Sequence, residues 1–124
     1  MKILTPSVHG ILDYVTVGIF LVAPLVLGLT GISTALSYLL AIVHLLMTLV
    51  TNFPFGIFKH LPFNFHGWVE RIVGPVLVIA SFIPMIAPTI IAMSFFLVMG
   101  AIIIAVGLLS NYHSDTSPIK PEVL

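Results

Sequence analysis

Two stretches without a single charged side chain decide what this chain can become. Between Asp13 and Lys59 lie 45 residues with no Asp, Glu, Lys or Arg, and between Arg71 and Asp115 lie another 43. A bilayer-crossing helix takes roughly 20 residues, so each stretch holds two crossings and one tight turn. The turn signals stand where that count requires them. Leu29-Thr30-Gly31-Ile32-Ser33 divides the first stretch, with Gly31 expected as helix stop and Ser33 as the next N-cap. Ile83-Pro84-Met85-Ile86-Ala87-Pro88 divides the second, with Pro88 suited to a first helical position. The expected spans run roughly over 7–29, 33–51, 66–86 and 89–110. Thr5-Pro6 offers an N-cap and first position to the first helix, and Asn64 a cap to the third.

Composition agrees. Of 124 residues 60% are hydrophobic and 6% charged, with a mean hydropathy of +1.26. A soluble domain carries about a quarter of its residues charged, so the solvent of this chain is largely lipid. The apolar runs lack the alternation of a barrel strand, and helices satisfy their own backbone in lipid. The expected fold is all-α, a polytopic four-transmembrane-helix bundle in one membrane domain over 1–124, with a disordered tail over about 114–124. With no net charge and no basic stripe, nucleic acid is not an expected partner. Cysteine is absent, which removes disulfides, thiolate metal sites and iron–sulfur clusters. Asp13 interrupts the first apolar run and no small-x-small cleavage site follows. The first helix is therefore expected to stay in the mature protein.

Every Lys and Arg lies at the N-terminus, in or just after the 52–65 connection, or in the tail, whereas the two tight turns carry no charge. With an even number of spans these segments share one side, and the positive-inside bias makes that side cytoplasmic. The expected location is a bacterial inner membrane with both termini cytoplasmic. The 52–65 connection holds five Phe among Pro, Gly and polar residues, a composition suited to the headgroup region.

The chain also repeats itself. Pro6-Ser7-Val8-His9-Gly10-Ile11-Leu12-Asp13 aligns with Phe63-Asn64-Phe65-His66-Gly67-Trp68-Val69-Glu70, so His-Gly-x-x-acid opens a span twice. Thr51-Asn52-Phe53 near the end of the first copy matches Ser110-Asn111-Tyr112 near the end of the second. The copies run over about 6–53 and 63–112. A two-span repeat returns the chain to its starting side, so the copies run in parallel about an axis along the membrane normal. The two His-x-x-x-acid pairs then share one depth and can face each other.

The first span, His9-Gly10-Ile11-Leu12-Asp13-Tyr14 followed by Gly18, Pro24 and Gly28, resembles the SPW-repeat family of small bacterial membrane proteins. Their helix pairs begin with a similar His-Gly-x-x-Asp-Tyr segment and carry Pro-Trp near the far end; here Pro24 is followed by Leu25. The resemblance implies the paired-helix topology and assigns no chemistry.

His9 and Asp13 are four residues apart, hence on one helix face, and His66 and Glu70 repeat the arrangement. His44, within the second span, is the deepest ionisable group. Gathered with Arg71 on the cytoplasmic side, His9, Asp13, His44, His66 and Glu70 form the candidate site. Imidazole and carboxylate together suit Zn²⁺, Fe²⁺ or Mn²⁺. The same groups could relay protons, or Arg71 and the histidines could hold an anionic headgroup. The competing reading is structural: interfacial histidines, Asp13 at a positive helix end, and Arg71 paired with Asp13 across the bundle. Trp68, Tyr14, Tyr38 and Tyr112 read as interfacial anchors. The small face Gly100, Ala101, Ala105 and Gly107 reads as helix packing. Pro75 and Pro84 are expected to kink the third helix. His60 and His113 are expected to face solvent.

No phosphate loop, dinucleotide fingerprint, HExxH or nucleophilic-serine motif is present. Three functions stay open: a metal- or proton-handling membrane protein, a non-catalytic accessory or assembly protein, and a metal-dependent enzyme acting on a lipid-soluble substrate. The sequence leans away from an enzyme. Its expected partners are membrane lipids, with a homo-oligomer or a larger membrane complex left open.

Overall fold

A computed structural model describes residues 2–112 as four α-helices with no strand among them. Helix α1 spans Pro6–Val26, α2 Ile32–Val50, α3 Phe63–Ser81 and α4 Ile90–Leu109. Helices α1, α2 and α4 are long and apolar enough to cross a membrane. Helix α3 is less clearly apolar, because it carries His66, Glu70 and Arg71. The expected disordered tail and His113 lie outside the described residues.

Local signals start the helices with partial fidelity to expectation. Thr5 caps α1 by accepting from the Val8 amide, with Pro6 at the first position. Helix α1 stops at Val26, three residues short of the expected end. Gly28, at φ +64°, takes the left-handed turn that was expected of Gly31. Gly31, at φ +56°, instead precedes the first residue of α2. Ser33 is therefore no cap; it lies buried inside α2, and its hydroxyl donates to the Ile86 carbonyl at 2.6 Å across the two tight turns. Helix α3 begins three residues early, at Phe63, so Asn64 is within the helix rather than capping it. It also ends at Ser81, which leaves Pro84 in the following turn, where it can kink nothing. Thr89, not Pro88, introduces α4, accepting from the Ala92 amide. At Ser33 a tertiary hydrogen bond, and at Thr89 a side-chain cap, took the place of the expected local signal.

The helices pack chiefly as the pairs α1/α2 and α3/α4. Pro24 cannot donate to the Phe20 carbonyl one turn back; the buried Ser37 hydroxyl of α2 does so at 2.7 Å, joining the first pair. In the second pair a Cβ on Gly100 would sit 3.0 Å from the Gly74 carbonyl oxygen, so both glycines permit a backbone approach. Gly100 and Gly107 are buried in this seam, whereas Ala101 and Ala105, expected on the same face, point outward. Phe20, Phe96, Met99, Ile103 and Leu77 form the shared apolar core. Large apolar side chains such as Leu25, Ile79 and Leu108 are exposed on the outer surface, as lipid-facing residues would be.

At the end of the molecule opposite the two tight turns, extended segments cross over and clip the helix ends. Leu4 donates to the Leu109 carbonyl and accepts from the Asn111 amide. Leu61 likewise donates to the Val50 carbonyl and accepts from the Asn52 amide. These bonds satisfy carbonyls that a helix C-terminus otherwise leaves unpaired. They also fix Thr51 and Ser110, the extended residues closing α2 and α4, so that both hydroxyls point inward.

Candidate metal centre

His9 and Asp13 sit on one face of α1, and His66 and Glu70 on one face of α3, four residues apart in each case. The two faces meet. The four side chains form an alternating ring of imidazole and carboxylate. His9 Nε2 lies 3.2 Å from Asp13 Oδ1 and 3.4 Å from Glu70 Oε2. His66 Nε2 lies 3.4 Å from Asp13 Oδ2 and 3.5 Å from Glu70 Oε1. All four residues are buried, and one ligand atom from each falls within 4.8 Å of the others.

The hydrogen bonds behind this ring determine which atoms face its centre. Ser110 Oγ donates its one proton to the Val106 carbonyl at 2.7 Å, so at its 2.6 Å contact with His9 Nδ1 it must accept. Thr51 does the same for the other half. Its hydroxyl donates to the Met47 carbonyl at 2.6 Å and accepts from His66 Nδ1 at 2.8 Å. Both imidazoles thus carry a proton on Nδ1, and both turn Nε2 inward. The two Nε2 atoms have no hydrogen-bond partner despite their burial. They approach the carboxylate oxygens closely, but without the alignment of a hydrogen bond.

The carboxylates are oriented from behind as well. His44 of α2 approaches Asp13 Oδ1 at 3.3 Å from Nε2, and Thr48 lies 3.3 Å from Oδ2. Tyr112 donates its hydroxyl proton to Glu70 Oε2 at 2.8 Å. Burial, and then the negative Glu70 beside it, push the Tyr112 phenol well above its ordinary pKa. The phenol therefore stays a donor. Each of the four inward-facing groups has its own partner, the arrangement that fixes ligand orientation in metal sites.

Aromatic rings close the end of the site. Phe53, Phe63 and Tyr112 form a buried cluster. Edges and faces meet the His9 ring at centroid separations of 5.0 Å for Phe63 and 5.5 Å for Tyr112. The glycine of each His-Gly pair makes room for this lid. A Cβ on Gly10 would come within 2.9 Å of the Phe53 ring, and one on Gly67 within 2.5 Å of the Tyr112 ring.

Several sequence-predicted residues fall elsewhere. His44 of α2 stands beside the ring and outside the group of four, partly exposed, with Nε2 3.3 Å from Asp13 Oδ1 and its ring 6.0 Å from that of His66. Arg71 forms no ion pair among the described residues. Its guanidinium stacks 5.4 Å from the Trp68 ring and 5.5 Å from the Tyr112 ring. The pairing of Arg71 with Asp13 is thereby corrected. Tyr112 is an internal donor to Glu70 and not an interfacial anchor. Of the five Phe in the 52–65 connection, Phe53 and Phe63 point into the lid while Phe55, Phe58 and Phe65 are exposed. His60 is exposed, as expected. Thr51, Ser110 and Tyr112 were not among the expected site residues, although a signal was present: the hydroxyl-Asn-aromatic triplets at 51–53 and 110–112.

Comparison of the chain with protein-family models, curated proteins and solved structures gave no match.

Proposed function

We propose that this is a membrane protein that binds one divalent transition-metal ion through His9 Nε2, His66 Nε2, Asp13 and Glu70. The observation that carries the reading is the pair of buried Nε2 atoms, each aimed at two carboxylates without hydrogen-bond geometry. With Nδ1 protonated, each neutral imidazole presents a lone pair to oxygens that also present lone pairs. A positive charge between them, a bound cation or a second imidazole proton, makes that arrangement favourable. Two carboxylates in a lipid-surrounded interior also need compensating positive charge, and no Lys or Arg reaches them among the described residues.

The spacing supports an ion over shared protons. The four imidazole–carboxylate separations of 3.2–3.5 Å are longer than charge-assisted hydrogen bonds of about 2.7–2.9 Å, each carboxylate turns one oxygen to each histidine, and one ligand atom from each residue lies within 4.8 Å of the others, room for a central ion. Two nitrogens and two carboxylate oxygens favour Zn²⁺, Fe²⁺ or Mn²⁺ over Ca²⁺ or Mg²⁺, which take oxygen donors. The two His-Gly-x-x-acid copies, with their matching Thr51 and Ser110 partners, support an origin by internal duplication into a four-helix membrane bundle. The resemblance of the first copy to SPW-repeat proteins is in keeping with that reading. We place the site near the cytoplasmic face, supported by Lys2, Lys59 and Arg71 at its end of the molecule.

The test is metal content and affinity of protein purified in detergent, wild type against His9→Ala, His66→Ala and Glu70→Gln. One equivalent of Zn²⁺ or Mn²⁺ bound by wild type and lost from each variant is the expected result. Folded wild-type protein that takes up none of the three ions under reducing conditions refutes the reading.

A further inference from the structure

The buried centre is bordered by a cavity on one side, along the seam of α2 and α3. The end is shut by Phe53, Phe63 and Tyr112, and α1 and α4 cover the flanks with His9 and Ser110 fully buried. Between α2 and α3, however, a cavity of about 40 Å³ reaches His44, His66 and Glu70. Its remaining wall is apolar and includes Leu40 and Val73. The same two residues line a second cavity of about 260 Å³, wholly apolar, that continues along the α2/α3 seam past Leu36, Val76 and Ala80. From Ile72 to Ala80 the groove follows α3 for about 12 Å at the helical rise per residue. Leu40 and Val73 thus stand between an apolar groove on the outer surface and a small, mainly apolar chamber into which His44, His66 and Glu70 project.

We infer that this seam admits a membrane-dissolved amphiphile with a single alkyl chain and a small neutral oxygen head, an alcohol or a carbonyl. The chain lies along Leu36, Val76 and Ala80, and the head enters the chamber beside His44. Three physical constraints select this chemistry. A charged head could not pass the apolar seam without heavy desolvation, and an anion would be repelled by Asp13 and Glu70. The chamber volume accommodates a head of only a few non-hydrogen atoms. The aromatic lid denies the same chamber to a water-soluble ligand approaching from the end. The binding groove stands on its own geometry, whereas contact between the head and a bound ion rests on the metal reading above.

The test uses full-length protein in phosphatidylcholine nanodiscs and two photoreactive probes, a dodecanol and a dodecane, each carrying a mid-chain diazirine. Labelled positions are read by mass spectrometry, with and without Zn²⁺. Alcohol labelling is expected to concentrate on residues of α2 and α3 that line the seam. Excess dodecanol and the lipid-facing variant Ala80→Phe should each suppress it. His44→Ala should weaken alcohol labelling by about tenfold, the value of one good buried hydrogen bond, and leave alkane labelling unchanged. Labelling spread evenly over all four helices, or insensitive to both dodecanol and Ala80→Phe, overturns the inference. Concentrated labelling in protein that binds no metal would refute the metal reading alone. Metal binding with diffuse labelling would refute the groove alone.

Discussion

Ser110 Oγ stands 2.6 Å from His9 Nδ1, 101 residues away in sequence, and its own proton is committed to the Val106 carbonyl. That one contact fixes the tautomer of His9 and points the Nε2 lone pair at the centre. Thr51 imposes the same state on His66. Removing such a partner leaves the ligand in place but frees its orientation. Ser110→Ala and Thr51→Val are each expected to weaken Zn²⁺ binding by about 10- to 100-fold, with Ser110→Thr close to wild type. Competition titration against a chelator of known affinity measures this, and unchanged affinity in both variants would show that the hydroxyls set nothing.

The lid makes a steric prediction. Gly67→Ala would drive a methyl into the Tyr112 ring, at a cost of about 1–3 kcal/mol for overpacking. Shortening the ring partner should relieve it, so Gly67→Ala with Tyr112→Ala is expected to be less destabilised than the two single effects added together. Denaturation in mixed micelles gives the three values. Strict additivity would mean that the ring and the glycine do not press on one another.

Stability at alkaline pH follows from Tyr112. Its folded-state pKa is raised by burial and by Glu70, while in the unfolded chain it returns to about 10. Above that pH the unfolded state sheds a proton that the folded state keeps, so stability falls as pH rises. Metal-free Tyr112→Phe protein should show a shallower loss between roughly pH 10 and 11.5 than wild type. Equal slopes in chemical denaturation across this window would contradict the raised phenol.

Ser33 provides a control far from the centre. Its hydroxyl bonds the Ile86 carbonyl across the two tight turns, and Ser33→Ala should cost about 0.5–1.5 kcal/mol. Metal affinity should not change, because the tight turns lie at the opposite end of the helices. A parallel loss of metal affinity would reveal a coupling between the two ends.

Proton competition gives a last expectation. Ligand atoms must be free of protons to hold the ion, so acidification should release the metal. Equilibrium dialysis from pH 7.5 down to about 4.5 is expected to show progressive loss; retention of a full equivalent at the acid end would place the ion elsewhere.

Much of this was decided along the chain itself. Uncharged runs of 45 and 43 residues leave no alternative to apolar helices joined by short turns. The spacing His9 to Asp13 and His66 to Glu70 puts each pair on one helix face by geometry alone. Helix ends were less legible. Gly28 and Gly31 carry the same local preference, as do Ser33 and Thr89, yet Thr89 caps a helix while Ser33 bonds the distant Ile86 carbonyl, a contact that forms only after packing. What tertiary structure alone decided is which atoms face inward. The partners of His9 and Glu70 come from the segment after α4, brought back by the Leu4 crossing, and that of His66 from the end of α2. Local sequence can place an imidazole on a helix face. It cannot rotate Nε2 toward a distant carboxylate, because the hydroxyl that does so is set by a backbone crossing elsewhere in the fold.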